Sequence, residues 1–233
     1  HGLRSKGDMS FTRLGEVFPW FEMGQDLDST RTFSPALFKS HMGLSELPTG
    51  GKVINIVRNP GDTLMSYYNF WSGALIDPDK ITLDMMARQL FLLDRSDLAV
   101  NMSRLNYFQH LVDFHTADYS GPVLYIAYED MKMNLPAAVR RIARFMDMDI
   151  SKTLERKITE QSSFSFMSRH KGKFTEQTPH TVMEMVVSGR VGDAKQGLSD
   201  ELKQALDNAW QKYVTPELGY QNYEQLRQTI SLS

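Results

Sequence analysis

Residues 52–62, with the sequence KVINIVRNPGD, contain a β-branched run that ends in a turn. The run Lys52–Arg58 follows two glycines and predicts a β-strand. The next four residues predict a turn, with Asp62 as the N-cap of a helix over residues 63–71. A strand, a turn and a helix in this order form half of a βαβ unit, so the stretch favours a parallel sheet covered by helices.

The rest of the chain continues the alternation of strands and helices. Short apolar runs at Ala36–Ser40 and Val123–Tyr128 predict two more strands, and the second is apolar enough to be buried on both faces. Apolar residues at helical spacing predict helices at 83–93, at 105–115, from Pro136, and from a Ser199 cap through Trp210. We therefore predict an α/β fold with a central, mainly parallel sheet flanked by helices. No repeat or linker divides the sequence, so we expect one domain over residues 1–233.

The composition excludes several classes of protein. The 233 residues carry 26 Lys and Arg against 28 Asp and Glu, and the net charge of −2 gives no general reason to bind nucleic acid. The absence of cysteine excludes disulfide scaffolds and thiol catalysis. No apolar run approaches the roughly 20 residues that cross a bilayer. We expect a cytoplasmic protein without a membrane span. Because the chain begins at His1 without a signal sequence, we also expect further sequence upstream.

Polar side chains follow the predicted strands, at the edge where parallel sheets bind ligands. Lys39, Ser40 and His41 combine a cation, a hydroxyl and an imidazole, which together can hold an anion and move a proton. Arg58 faces the start of the helix that carries Ser66, an arrangement that suits a phosphate. The alternatives are a purely structural histidine and an Arg58 that pairs with the nearby Asp62.

Two further stretches combine residue types that bind nucleotides. Residues 161–167 alternate hydroxyls with flat or apolar groups, as around a purine, but a helix cap with core residues behind it gives the same pattern. On local grounds we favour the cap. Ser188, Gly189 and Arg190 open a glycine-spaced turn whose N–H groups and guanidinium suit a phosphate, although such turns are common.

Taken in order, these stretches resemble the cytosolic sulfotransferases, which use 3′-phosphoadenosine 5′-phosphosulfate (PAPS). The matching blocks are Lys39-Ser40-His41, Arg58-Asn59-Pro60-x-Asp62 with Ser66-Tyr67-Tyr68-x-Phe70, Tyr128-Glu129-Asp130-Met131, Ser162-Ser163-Phe164 with Met167, and Gly192-Asp193-x-Lys195. The similarity runs from about Gly7 to beyond Trp210. It implies the P-loop-nucleotide-kinase-like sulfotransferase fold and a reaction that depends on positioning and charge stabilisation, without a metal ion.

Carried over by position, the resemblance implies a role for each matched residue. His41 would take the proton from the attacking hydroxyl of the acceptor, and Lys39 would stabilise the transferring sulfuryl group. The other roles are a 3′-phosphate site of Arg58, Ser66, Ser188, Gly189 and Arg190, an adenosine site of Tyr128, Ser162, Phe164 and Met167, and an acceptor pocket of Trp20, Tyr67 and Phe70. For the three aromatic residues, core packing is the alternative. The implied acceptor is a hydroxyl of a small, largely apolar molecule.

Two departures from the family pattern concern the binding of the donor. Nothing in it matches the family's N-terminal loop around the 5′-phosphosulfate, and Val187-Ser188-Gly189 stands where the family usually has Arg-Lys-Gly. These departures support a second hypothesis, a catalytically silent nucleotide-binding or interaction module on the same fold. A third hypothesis, a kinase-like phosphoryl transferase, is disfavoured by Lys39 with His41 and by Arg58 with Ser66.

Overall fold

The computed structural model describes residues 1–22, 34–72, 77, 79–94, 105–177, 182–184, 186 and 191–232. The chain divides into two compact units. The first contains residues 1–41, 73–75 and 130–189, and the second contains residues 42–72, 76–129 and 190–233. Each unit has a buried apolar cluster of its own. The single domain that we expect over residues 1–233 stays a prediction.

Two parallel strands organise the second unit. They are β1 (Val53–Val57) and β2 (Val123–Ala127). Their register runs from Val53 opposite Val123 to Val57 opposite Ala127, so both strands end on the same rung. The parallel pairing that the two apolar runs predict is therefore confirmed.

Helices follow the predicted periods in the part of the chain that the structure describes. In chain order they are α1 (Pro60–Ser72), α2 (Leu83–Met86), α3 (Tyr107–Thr116), α4 (Tyr128–Met133), α5 (Leu135–Phe145), α6 (Lys152–Gln161), α7 (Phe164–Arg169), α8 (Ala194–Gly197), α9 (Asp200–Tyr213), α10 (Thr215–Leu218) and α11 (Tyr223–Leu232). A π-helical turn, Ala87–Phe91, follows α2, so the helix predicted over 83–93 has two geometries. Short 3₁₀ turns occupy Leu14–Glu16, Leu44–Glu46 and Lys171–Phe174.

Side-chain caps fix the starts of α1 and α9. Asn59 caps α1, because its Oδ1 accepts from the N–H groups of Gly61 and Asp62 at 2.9 and 3.2 Å. The prediction of Asp62 as the cap is wrong, since Pro60 takes the first helical position and Asp62 lies inside the first turn. Ser199 caps α9 as predicted.

The core of the second unit lies between the strand pair and the C-terminal helices. Leu202, Leu206 and Trp210 are spaced by four residues on one buried face of α9. They join a buried cluster that includes Phe108 of α3 and Leu226 of α11. Burial of each such side chain stabilises the unit by about 1.5–3 kcal/mol, which holds α9 against α3 and α1, and α11 against β2.

The first unit is built on the pair of helices α5 and α6. Its buried cluster contains Leu3, Val139, Ala143 and Ile158. An antiparallel pair, β3 (Thr175–Gln177) with β4 (Val182–Glu184), also belongs to this unit and was not predicted.

The strand predicted at Ala36–Ser40 is wrong. It is reduced to a single parallel bridge between Trp20 and Lys39. The Lys39 N–H donates to the Pro19 carbonyl at 3.0 Å, and the Lys39 carbonyl accepts from the Phe21 N–H at 2.9 Å. Because proline has no N–H, Pro19 cannot donate a further rung, and the ladder ends there.

Candidate functional site

Trp20 lies at the centre of a polar cluster in the first unit. The bridge to Lys39 brings the Lys39 Nζ to 4.8 Å from the centroid of the Trp20 ring. The His41 ring lies against the same indole, with the centroids 4.7 Å apart and the planes at 60°. The structure therefore brings together three of the predicted site residues, the two proposed for catalysis and one proposed for the acceptor pocket.

A buried carboxylate holds His41 from the other side. The Oε1 atom of Glu22 accepts from the His41 backbone N–H at 2.7 Å and lies 2.8 Å from its ring Nδ1. The Glu22 side chain is 4% exposed, whereas the His41 side chain is 48% exposed. Burial, the largest single cause, acts to raise the pKa of Glu22. The hydrogen bonds from the His41 ring, from the backbone of Glu22 and from the backbone of His41 together outweigh it and leave that pKa below its ordinary value. The imidazole is therefore anchored at one edge and open to solvent elsewhere.

Lys39 has a strongly altered acidity. Burial lowers the pKa of Lys39 to about 7, and the negative charge of Glu22 opposes this effect. At neutral pH the amine is thus divided between its charged and neutral forms. An anion placed beside it would favour the ammonium form.

The ends of β1 and β2 place Arg58 beside Tyr128 in the second unit. Each residue directly follows the last paired rung of its strand. The guanidinium carbon of Arg58 lies 4.6 Å from the centroid of the Tyr128 ring. Ser66 is exposed on α1. This arrangement presents a cation at the carboxyl edge of the strands, where α/β sheets bind ligands.

A buried carboxylate, Glu129, braces the segment that carries Arg58. Its Oε1 accepts from the Asn59 N–H at 2.9 Å, and its Oε2 accepts from the Tyr223 hydroxyl at 2.5 Å. Glu129 is 5% exposed. Burial, followed by the hydrogen bond to Glu129, raises the pKa of Tyr223 well above its ordinary value.

Tyr107 fixes the Arg58 backbone from α3. Its hydroxyl donates to the Arg58 carbonyl at 2.5 Å. Burial, and after it the charge of Glu129, raises the pKa of Tyr107 well above its ordinary value. Both tyrosines therefore remain neutral hydrogen-bond donors around the loop after β1.

Asp62 ties the start of α1 to the segment before α8. Its carboxylate accepts from the Gly192 and Ala194 N–H groups at 2.6 and 2.9 Å, and it is 2% exposed. The two segments meet closely at Gly61, where a Cβ would lie 2.8 Å from the Ala194 Cβ. The predicted phosphate ligands Ser188, Gly189 and Arg190 lie outside the described residues.

The residues predicted to contact adenosine lie around α7 in the first unit, apart from Tyr128. Ser163 caps this helix by accepting from the Phe166 N–H at 3.2 Å, which confirms the cap. Phe164 and Met167 are half-buried and spaced by three residues, so they share one face of α7. Ser162 is exposed at the end of α6.

Tyr67 and Phe70 follow Ser66 on α1. Tyr67 packs against the core of the second unit, with its ring 5.8 Å from Trp71 and 6.4 Å from Phe91. The Phe70 ring lies 5.2 Å from the Trp71 ring. Tyr67 therefore has a packing role of its own, and its part in an acceptor pocket stays a prediction.

Within the ranges given above, no group of three or more His, Asp or Glu side chains is placed to hold a metal ion. No helix in that part of the chain has the length and apolarity required to cross a membrane.

The sequence assigned no role to the residues that support the two clusters. Glu22 contacts His41, which lies 19 residues later in the sequence, and Tyr223 contacts Glu129, which lies 94 residues earlier. The available signal was a carboxylate at the end of the buried strand β2, since Glu129 follows that strand by two residues. No spacing signal connects Glu22 to His41.

A family model described as the sulfotransferase domain matches residues 7–228. The chain therefore belongs to the sulfotransferase family. It is 30% identical to sulfotransferase 1A1 of Rattus norvegicus over 194 residues, which are 79% of this chain and 64% of the rat protein. It is 29% identical to sulfotransferase 1A1 of Mus musculus, also over 194 residues, which are 79% of this chain and 64% of the mouse protein. The chain thus spans less than two thirds of the length of these relatives.

Solved structures show the same fold. Mouse sulfotransferase SULT7A1, complexed with PAP, matches with a TM-score of 0.54 and 22% identity, over 78% of this chain and 62% of that protein. Retinol dehydratase in complex with androsterone and the inactive cofactor PAP matches with a TM-score of 0.56 and 19% identity. The match covers 79% of this chain and 54% of that protein. The predicted α/β sulfotransferase fold is confirmed.

Proposed function

We propose that this chain carries out sulfuryl transfer from PAPS to a hydroxyl of a small, largely apolar acceptor, and that it does so in the cytoplasm. Membership of the sulfotransferase family supports the reaction class. The observation that carries the proposal is the pair of Lys39 and His41 on one indole, with Lys39 Nζ 4.8 Å and the His41 ring 4.7 Å from Trp20. A cation and a base beside an aromatic surface are the groups that transfer to an apolar alcohol requires.

His41 acts as the general base in this proposal. Its ring is about half exposed, so a hydroxyl can approach it. As the acceptor O–H bond breaks, its oxygen bonds to sulfur and its proton passes to His41. The electron pair of the breaking S–O bond leaves with adenosine 3′,5′-bisphosphate. Lys39, whose pKa of about 7 rises when an anion approaches, stabilises the charge on the sulfuryl oxygens.

Arg58 and Ser66 are the proposed ligands of the 3′-phosphate. The Arg58 backbone is held by Tyr107, the adjacent Asn59 N–H is held by Glu129, and the guanidinium lies over Tyr128. A guanidinium fixed in this way fits a phosphate, because a charge-assisted fork loses little freedom on binding. PAPS supplies the sulfuryl group and the leaving nucleotide.

The remaining sequence-based assignments complete the proposal. Tyr128, Ser162, Phe164 and Met167 contact adenosine, and Ser188, Gly189 and Arg190 add to the 3′-phosphate site. Trp20, Tyr67 and Phe70 contact the acceptor, whose apolar body suits aromatic side chains.

Calorimetric titration of adenosine 3′,5′-bisphosphate tests the donor assignment, with 5′-AMP as the control ligand. The protein should prefer the bisphosphate. Arg58→Ala should weaken its binding by roughly 10- to 100-fold, equivalent to a charge-assisted contact of about 1.5–3 kcal/mol. His41→Ala should bind the bisphosphate like the wild type but lose sulfuryl transfer to a panel of phenols and alcohols.

Arg156→Ala is the matched control for Arg58→Ala, because Arg156 is an exposed arginine of α6. It should bind the bisphosphate like the wild type. Equal binding of 5′-AMP and the bisphosphate by the folded wild type would refute the donor assignment. That result would favour the silent module.

A further inference from the structure

We infer that Glu22 is a positioning residue that keeps His41 in the tautomer whose Nε2 is free to accept a proton. The inference rests on the proposed function, since His41 is the base there. Glu22 is not among the site residues predicted from the sequence.

The hydrogen-bond geometry defines the tautomer. The His41 backbone N–H donates to Oε1 of Glu22 at 2.7 Å, and the ring Nδ1 lies 2.8 Å from the same oxygen. An ionised carboxylate only accepts hydrogen bonds, so Nδ1 must carry the hydrogen. In a neutral imidazole the lone pair is then on Nε2.

The environment keeps Glu22 ionised at neutral pH. Its side chain is 4% exposed, which excludes most competing water. The contacts from His41 hold its pKa below the ordinary value in spite of burial. A buried negative charge 2.8 Å from Nδ1 also stabilises the imidazolium that forms when Nε2 takes the acceptor proton. Glu22 therefore orients the His41 ring before proton transfer, and its charge acts while the proton is transferred.

The charge of Glu22 acts beyond His41. Among the described residues, Oε2 is buried and has no hydrogen-bond partner. The charge of Glu22 raises the pKa of Lys39, against the larger effect of burial. The charged groups around the His41 ring thus include Glu22 at its edge and Lys39, which contacts the same indole. The same carboxylate supports both proposed catalytic groups.

Nitrogen-15 NMR of the imidazole in the full chain tests the inference without any need for activity. The wild type should show His41 protonated on Nδ1, and Glu22→Ala should shift it towards the Nε2-protonated form. Glu22→Gln should keep the wild-type tautomer, because its amide oxygen still accepts from Nδ1, while it removes the charge. Glu160→Ala, which removes an exposed carboxylate in the same unit, should change nothing.

Steady-state kinetics supply the second readout. Glu22→Ala should lower kcat by about 10-fold or more, with the roughly 10²–10⁴-fold contribution of a positioned general base as the upper limit. It should leave KM for PAPS unchanged. Glu22→Gln should lose less of kcat. It carries the kinetic test alone if Glu22→Ala does not fold.

The outcomes separate the two proposals. An unchanged tautomer in folded Glu22→Ala would overturn the positioning role of Glu22, and a wild-type kcat in Glu22→Gln would overturn the contribution of its charge. Full activity of His41→Ala would instead refute His41 as the base, even if the tautomer of the wild type is the expected one.

Discussion

Removal of the Tyr223 hydroxyl tests whether Glu129 braces the loop after β1. In Tyr223→Phe the ring remains and fills the same space, but Oε2 of the buried Glu129 loses the donor that lies 2.5 Å away. A hydrogen bond to a charged group contributes about 1.5–3 kcal/mol to stability. For a chain of this size 1 kcal/mol lowers Tm by about 2–4 °C, so the expected fall in Tm is about 3–12 °C.

Urea denaturation and thermal melting of the two proteins measure this loss. Tyr213→Phe is the matched control, because the Tyr213 hydroxyl has an exposed contact, accepting from Lys212 Nζ at 2.9 Å. Its free energy of unfolding should stay within about 0.5 kcal/mol of the wild type. Equal effects of the two substitutions would refute the bracing role of the buried pair.

Three further predictions follow from buried ionisable groups. Asp62→Asn should lower the free energy of unfolding by about 1–3 kcal/mol, because the new amide NH₂ would face the N–H of Gly192 or Ala194, two donors without an acceptor. Urea denaturation measures this loss. Above about pH 10 the stability should fall, because unfolded Tyr107 and Tyr223 lose protons that the folded chain keeps. The free energy of unfolding of the wild type should rise as the pH increases from about 7 to 10.5, the pKa values of Lys39 in the folded and unfolded chain. Over this range unfolded Lys39 still binds a proton that folded Lys39 has released. Denaturation of Lys39→Met over that range should lack this gain.

Each of these predictions has a result that would contradict it. For Asp62 it is unchanged hydrogen exchange at the Gly192 and Ala194 amides in Asp62→Asn. For the tyrosines it is an equally steep alkaline fall when both are replaced by phenylalanine. For Lys39 it is a difference in stability between wild type and Lys39→Met that does not vary with pH.

Local signals predicted the elements, because they depend on residues close in sequence. The β-branched run of β1, the apolar run of β2 and the Ser199 cap were each readable within ten residues. Competition between neighbours caused the error at α1. Asn59 and Asp62 are both good caps, and the position of Pro60 decided between them.

Tertiary contacts explain what the sequence did not predict. The strand expected at Ala36–Ser40 depended on a partner, and Pro19 in that partner ended the ladder after one bridge. Glu22 beside His41 is a contact between segments, and no periodicity encodes it. Lys39 and His41 could be placed near an anion from residue type, but their shared contact with the Trp20 indole is visible only in the fold.

The common last rung of β1 and β2 makes the Arg58 and Tyr128 pair depend on strand length. Neighbouring strands lie about 4.7–4.9 Å apart, and the Arg58 guanidinium carbon lies 4.6 Å from the Tyr128 ring. One residue inserted into either strand would displace its end by about 3.3 Å and turn the following side chain to the opposite face of the sheet. Evolution can therefore exchange the apolar residues within these strands, whereas an insertion or deletion in one strand alone would separate the cation from the ring.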